Sequence, residues 1–251
     1  LTEDPIRKLY SLGPMFRYER PQKGRYRQFH QINAERLGEE GPFSDAETLQ
    51  LAYVLATSLG LKNVTMEVNS LGCEDCRAQF KKALQEFLMK QADRLCPDCS
   101  RRMRTNPLRV LDCKAASCKE AVIGAPVIED FLCSDCRDHY QQVLASLDAF
   151  GVPFRKSPNL VRGLDYYTRT TFEITAEGLG SQNAVAGGGR YDSLVKTLGG
   201  PETPGIGFAF GMERIIMLLG ESIMPAYGCF IVAQGDEEVR RYAIGLLTEL
   251  R

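Results

Sequence analysis

The sequence predicts an α+β protein, a sheet flanked by helices and interrupted by a helical insertion. Three observations carry this reading. Alternating aromatic and β-branched residues mark strands within Gly13–Leu37, Val64–Val68 and Tyr166–Phe210; helical periods follow some of these strands; and from about Cys73 to Phe150 the chain turns to charged helices with few β-branched runs. With 251 residues, the chain is long enough for one large domain or a domain plus a smaller module. Lys and Arg (31) almost cancel Asp and Glu (32), which excludes a uniformly basic nucleic-acid binder and leaves only local contact. No signal peptide is visible, and no apolar run approaches the ~20 residues of a membrane span.

The elements follow in order. Met15-Phe16-Arg17-Tyr18-Glu19-Arg20 and Tyr26-Arg27-Gln28-Phe29-His30-Gln31-Ile32 read as two strands joined by the charged loop Pro21-Gln22-Lys23-Gly24. Ser44 with Glu47 forms a capping box, Leu49, Ala52, Leu55, Ala56 and Leu59 keep helical spacing, and Gly60 supplies a stop. Val64–Val68 alternates as a short strand. Ala78–Leu88 and Tyr140–Phe150 are the amphipathic helices of the insertion, closed by Gly151. Tyr166–Thr175 and Ala184–Ala186 are strands, Gly187-Gly188-Gly189 is a turn where backbone can approach a ligand, and Gly205–Phe210 is a strand that passes at Gly211 into the helix Met212–Leu219. Cys229–Ala233 reads as a buried strand and Asp236–Leu250 as a helix, the first βα unit of another domain.

Between Arg17 and Arg27 stand five basic residues and one acid, Glu19. Strands would hold Arg17 and Arg27 while Lys23 and Arg25 ride on a loop, an arrangement that suits a polyphosphate because guanidinium forks chelate phosphate oxygens without losing their charge. A solvated charged hairpin would have the same composition. Arg162, Asp165, Tyr166 and Tyr167 lie in apolar surroundings, and adjacent strand tyrosines point to opposite faces, one to the core and one to a pocket. Arg214, one turn into its helix, would be an anion ligand if it faces inward.

Together these segments resemble the class II aminoacyl-tRNA synthetases, and specifically the histidyl-tRNA synthetase family. Phe16-Arg17-Tyr18-Glu19 with its basic loop is similar to the class's motif 2, and Gly207-Phe208-Ala209-Phe210-Gly211-Met212-Glu213-Arg214 to its motif 3. Leu160-Val161-Arg162-Gly163-Leu164-Asp165-Tyr166-Tyr167-Thr168 and Ala186-Gly187-Gly188-Gly189-Arg190-Tyr191-Asp192 resemble the two histidine signatures. The resemblance implies a class II antiparallel sheet and histidine–tRNA ligation: L-histidine and ATP give histidyl-adenylate, and the histidyl group passes to the 3′ end of tRNA(His). It implies Arg17 at the α-phosphate, Glu19 at the adenine edge, Phe29 stacked on adenine, and Arg25 and Arg214 at the β/γ-phosphates with Mg²⁺. Arg162, beside Arg17, would be the main catalytic cation and would also reach the substrate carboxylate. Glu35 and Tyr167 would meet the two imidazole nitrogens, Gln31 the amino or carboxylate end, and Tyr166 and Tyr191 would wall the pocket. Arg20 and Gln22 would contact the tRNA acceptor end.

The same layout implies a catalytic core at 1–72 and 151–225, the insertion at 73–150, and the start of an anticodon-binding domain at 226–251. Motif 1 would lie upstream of Leu1, so the chain reads as a fragment of a cytoplasmic homodimer with weak or no aminoacylation of its own. Nine cysteines include eight between Cys73 and Cys136, as the C-x-x-C pairs Cys73/Cys76, Cys96/Cys99 and Cys133/Cys136 and the wider Cys113/Cys118. In a reducing cytoplasm paired thiols suit a metal better than disulfides. Cys96, Cys99, Cys113 and Cys118 have the most finger-like spacing for a structural zinc, though combinations using the other two pairs fit nearly as well. Two rival readings are a catalytically silent histidine-sensing regulatory relative and a zinc-stabilised RNA-binding module. The first need not keep Arg17, Arg162 and Arg214, and the second does not explain the histidine signatures.

Overall fold

The computed structural model describes residues 6–18, 21, 24–161, 166–179, 183–220 and 231–249. Residues 1–219 form one compact unit and 220–251 another. The first is built on a seven-stranded sheet: β1 (Arg7–Phe16), β2 (Gln28–Leu37), β3 (Thr65–Ser70), β4 (Phe154–Lys156), β5 (Thr168–Thr175), β6 (Ala184–Arg190) and β7 (Gly205–Gly211). Their order is β1-β2-β7-β6-β5-β3-β4. Every pairing is antiparallel except β3 with β4, where Met66 stands opposite Phe154. The expected α+β class and mainly antiparallel sheet are therefore what the chain forms.

Strand alternation gives the sheet two unlike faces. Ile206, Phe208 and Phe210 of β7, with Phe172 and Ile174 of β5, are buried beneath the helices. Phe208 meets Phe210 edge-on at 5.6 Å, the geometry aromatic pairs prefer. The helix α1 (Pro42–Ser58) lays Leu49, Ala52 and Ala56 on this face. Its start differs from the sequence expectation. Proline presets the first turn, Gly41 is the N-cap, and Ser44 sits inside the helix donating its hydroxyl to the Gly41 carbonyl at 2.8 Å.

Between β3 and β4 lies the helical excursion, larger than the two helices foreseen. Its helices are α2 (Glu74–Met89), α3 (Pro97–Thr105), α4 (Leu108–Leu111), α5 (Ala116–Ala121) and α6 (Ser134–Ala149). In α2 the buried residues Cys76, Phe80, Leu84 and Leu88 recur every four positions and form one apolar stripe. The helix α6 buries Tyr140, Val143 and Leu147 and packs against α1. Cys73, Cys96 and Cys133 are the N-caps of α2, α3 and α6.

Two further expectations are corrected. Gly187-Gly188-Gly189 is not a turn but the buried middle of β6, whose neighbours approach too closely for side chains: a Cβ on Gly188 would stand 2.7 Å from the Phe208 Cα. Residues 231–234 carry no strand, and Val232 is exposed. After β6 come α7 (Leu194–Thr197) and, following β7, α8 (Met212–Leu219), the latter at its expected bounds. In the second unit α9 (Glu237–Glu249) is capped by Asp236, which accepts the Glu238 and Val239 N–H groups, each at 3.2 Å. No helix among the described residues is long and apolar enough to cross a membrane.

Candidate active site

The sheet face opposite the helices carries the site. On β2, Phe29, Gln31, Asn33 and Glu35 share that face, and the register sets Gln31 opposite Gly211, Asn33 opposite Ala209 and Glu35 opposite Gly207. On β6, Gly187 and Gly189 continue the row. Glycine and alanine at these crossings leave a trough with side chains only along its rims.

At one end the trough widens into a cleft of about 190 Å³ lined by Arg17, Phe29, Gln31, Glu173, Glu213 and Arg214 over Gly187, Ala209 and Gly211. The Arg17 guanidinium lies 4.2 Å over the Phe29 ring, and its Nε donates to the Tyr26 carbonyl at 2.6 Å. Burial and then the nearby Arg25 charge lower the Arg17 pKa, against a smaller opposing effect of Glu213. Arg214 lines the cleft. Its Nε donates to the Gly24 carbonyl at 3.0 Å and its Nη1 to the Ala184 carbonyl, tying the loop after β1 to β6. Glu213 accepts the His30 N–H at 2.8 Å and lies 3.0 Å from its Nδ1. Glu173 and Glu213 went unremarked in the sequence as site residues, because only the register of β5 and the turn of α8 bring them to the cleft.

At the other end Glu35 meets a cluster of tyrosines. Tyr191 donates its hydroxyl to Glu35 Oε2, and the rings of Tyr166 and Tyr167 stand 4.7 Å apart with Tyr191 edge-on to Tyr166 at 6.2 Å; the two adjacent tyrosines precede β5, so they share one cluster instead of pointing to opposite faces as strand alternation predicted. Tyr167 and Tyr191 are buried and pack on Leu71. Desolvation raises the Glu35 pKa above the usual carboxylate range and the Tyr191 hydrogen bond only partly offsets it. Glycine makes this packing possible: a Cβ on Gly189 would stand 2.9 Å from Tyr167 Cδ1 and 2.5 Å from the Thr170 carbonyl. A half-desolvated carboxylate beside a tyrosine cage can hold a compact cation or a neutral ring with an N–H to donate.

Beneath this pocket, on the helix face, is a polar network that the sequence did not reveal. Arg190 is 1% exposed and donates to Asp45, through Nε at 2.9 Å, to Asp192 at 2.8 Å and to Ser44 at 2.9 Å. His139 lies against the second Asp45 oxygen at 3.5 Å, and burial with the charges of Arg169 and Arg190 drops its pKa to about 4.

The structure thus brings Arg17, Phe29, Gln31 and Arg214 together at one end of the trough, with Arg25 beside Arg17, and Glu35, Tyr166, Tyr167 and Tyr191 at the other. Glu19, Arg20, Gln22 and Arg162 lie outside the described residues. The cysteines divide into two groups, Cys96, Cys99, Cys113 and Cys118 in one and Cys73, Cys76, Cys133 and Cys136 in the other, each with its Sγ atoms within 4.8 Å of one another. In the first group the Cys96 N–H donates to Cys118 Sγ at 3.2 Å, and hydrogen bonds bring the Cys96 pKa down to about 7, whereas burial raises those of Cys99 and Cys118.

Comparison with known proteins shows the family of the chain. The family model for histidyl-tRNA synthetase matches residues 1–215. The histidine–tRNA ligase of Desulfatibacillum aliphaticivorans is 55% identical over 98% of this chain, which spans 59% of that protein. That of Geobacter sulfurreducens is 53% identical over 94% of the chain and 57% of its own length. The crystal structure of apo S. aureus histidyl-tRNA synthetase superposes with a TM-score of 0.70 at 38% identity, covering 96% of this chain and 59% of that one. The chain therefore spans less than two thirds of the length of these relatives.

Proposed function

Because the chain belongs to the histidyl-tRNA synthetase family, we propose that it is the catalytic part of a histidine–tRNA ligase, activating L-histidine with ATP and passing the histidyl group to tRNA(His). The observation that carries this is the pair of unlike pockets on one glycine-floored sheet face, a carboxylate in a tyrosine cage at one end and arginines at the other. Imidazole fits the first pocket. Glu35 accepts the N–H of one ring nitrogen and the Tyr167 side meets the other, so an amino acid without both groups leaves a buried polar atom unpaired and is rejected. Gln31, midway along β2, holds the amino or carboxylate end.

ATP occupies the wider cleft. Arg17 exchanges the Phe29 ring for the α-phosphate, freeing that ring to stack on adenine, while Arg25 and Arg214 meet the outer phosphates. Glu19 at the adenine edge, Arg162 as the principal cation at the reacting centre, and Arg20 and Gln22 at the tRNA end are carried by their motifs. Glu173 and Glu213 supply the hard carboxylate oxygens that suit Mg²⁺. Magnesium, when bound, offsets charge on the phosphates.

Residues 73–150 serve as the insertion and 226–251 as the start of the anticodon-binding domain. The complete protein is a cytoplasmic homodimer. Cys96, Cys99, Cys113 and Cys118 hold a structural zinc, remote from the chemistry and bracing α3 and α5.

Calorimetry with L-histidine and with a non-reactive histidyl-sulfamoyl adenosine tests the proposal. The joined ligand should bind far more tightly than histidine alone, Glu35→Gln should weaken both, and Arg17→Ala should weaken chiefly the joined ligand. Binding of glutamine or phenylalanine as strong as that of histidine would overturn it.

A further inference from the structure

The second cysteine group joins the point where the chain leaves the sheet to the start of the last helix of the excursion. Cys73 and Cys76 open α2 just after β3, and Cys133 and Cys136 open α6, whose far end leads on to β4. The two C-x-x-C segments are arranged reciprocally. The Cys73 N–H donates to Cys136 Sγ at 3.2 Å, and the Cys133 N–H donates to Cys76 Sγ at 3.1 Å. Cys73 and Cys76 sulfurs are 3.4 Å apart, too far for the ~2.05 Å of a disulfide and close to the ~3.8 Å edge of a sulfur tetrahedron around zinc with 2.3 Å bonds. Both segments lie at helix N-termini, where the dipole favours thiolate. Cys76 and Cys136 are buried, Cys73 is half-buried and Cys133 is exposed.

From these sulfurs a short path leads to the tyrosine cage. Gly72 precedes Cys73 with φ +64°, and a Cβ there would stand 2.5 Å from the Cys76 Cβ. Its carbonyl accepts the Arg169 N–H at 2.9 Å, and the Leu71 N–H donates to the Arg169 carbonyl at 2.6 Å, extending the β3–β5 ladder past its end. Arg77, one turn into α2, donates to the Tyr167 carbonyl at 2.8 Å, and Leu71 packs on the Tyr167 ring.

We propose that Cys73, Cys76, Cys133 and Cys136 form a second tetrahedral zinc centre that positions the Tyr167 segment, through Gly72 and Arg77, for the amino-acid pocket. The centre is structural: its four thiolates leave no open position for a substrate. Its role in positioning rests on the function proposed above; its metal content does not.

Metal content is measured by elemental mass spectrometry on the chain purified without chelator, and by cobalt substitution. Two zinc ions per chain are expected, with two equivalents of cobalt giving the intense visible bands of tetrahedral tetrathiolate coordination. The double substitution Cys133→Ser/Cys136→Ser should leave one ion, Cys113→Ser/Cys118→Ser should also leave one, and circular dichroism monitors the fold of each. Stripping the wild-type chain with a mercurial and restoring it with zinc alone gives the same count without any substitution. One zinc that only Cys113→Ser/Cys118→Ser removes, no zinc at all, or disulfides at Cys73–Cys76 and Cys133–Cys136 in the mass of the unreduced protein would each overturn the centre. For positioning, Cys133→Ser/Cys136→Ser should weaken histidine binding about tenfold or more with ATP affinity unchanged, and the other double variant should change neither. Loss of the zinc with histidine affinity intact would overturn that role, whereas a wild-type chain that binds zinc twice but no histidine would count against the proposed function alone.

Discussion

Replacing Gly207 by alanine perturbs the amino-acid pocket without touching a charged group. Gly207 faces Glu35 across the β2–β7 ladder, and a Cβ at that position would overlap the Glu35 carboxylate and stand 2.6 Å from the Ala34 carbonyl oxygen. The two encounters have different remedies. The carbonyl belongs to a paired strand, so the ladder must open by several tenths of an ångström, an overpacking cost of about 1–3 kcal/mol. The carboxylate is the end of a flexible side chain and must swing aside by about 1 Å or more, a displacement that costs on the order of 10²-fold where a group must meet a reacting or recognised atom. Gly207→Ala should therefore lower the urea midpoint modestly and reduce histidine affinity, read by calorimetry, by about two orders of magnitude. Gly13→Ala is the control, since nothing lies within 4 Å of a Cβ added there on β1. A Gly207→Ala protein that folds and binds histidine at full strength would refute the assignment of Glu35 to the imidazole.

The other predictions concern charge. Glu35→Gln should weaken histidine binding yet raise Tm by about 2–4 °C, the shift ~1 kcal/mol makes at this size, because it removes a carboxylate that burial disfavours; an unchanged or lower Tm would contradict that. The raised pKa also means that histidine binding should fall, as pH decreases, at a higher pH than an ordinary glutamate would give, which a pH series of calorimetric titrations reads. Asp45→Ala strands the buried Arg190 guanidinium and should cost about 3–5 kcal/mol in urea unfolding, whereas a loss below 1 kcal/mol would mean that Asp192 alone suffices. His139, with its pKa held at about 4, stays neutral in the fold while the unfolded chain takes up its proton near 6.5; stability should decline between those values, by up to about 3 kcal/mol, and His139→Phe should flatten that decline.

Motifs and strand alternation made much of this readable in advance. Arg17 was legible from its basic run and Arg214 from its place one turn into a helix, whereas roles for Gln31 and Glu35 came only through the family resemblance, with strand alternation setting both on one face of β2. The triple glycine was misread as a turn because glycine permits both a bend and a close crossing, and only the presence of β7 and β5 on its two sides selects the second. Ser44 was misread because its capping box competes with Pro42, which starts the helix earlier. Arg190, Asp45 and His139 could not be paired from sequence, since the strand and two helices that carry them meet only in the folded core. The division of eight cysteines into two groups was open for the same reason, as spacing constrains neighbours but not which distant pair completes a set.

The short strand β4 is the far edge of the sheet and pairs in parallel with β3, so the whole helical excursion acts as the crossover between them. Closing a long loop costs only a logarithmic increment over closing a short one, so the sheet is nearly indifferent to what the excursion contains provided its ends meet. The contacts of Cys73 with Cys136 and of Cys76 with Cys133 join the start of the excursion to the start of its last helix, from which α6 runs on toward β4. With the junction holding Cys76 beside Cys133, the residues between them form a closed loop whose length can change at little cost to the strands outside it.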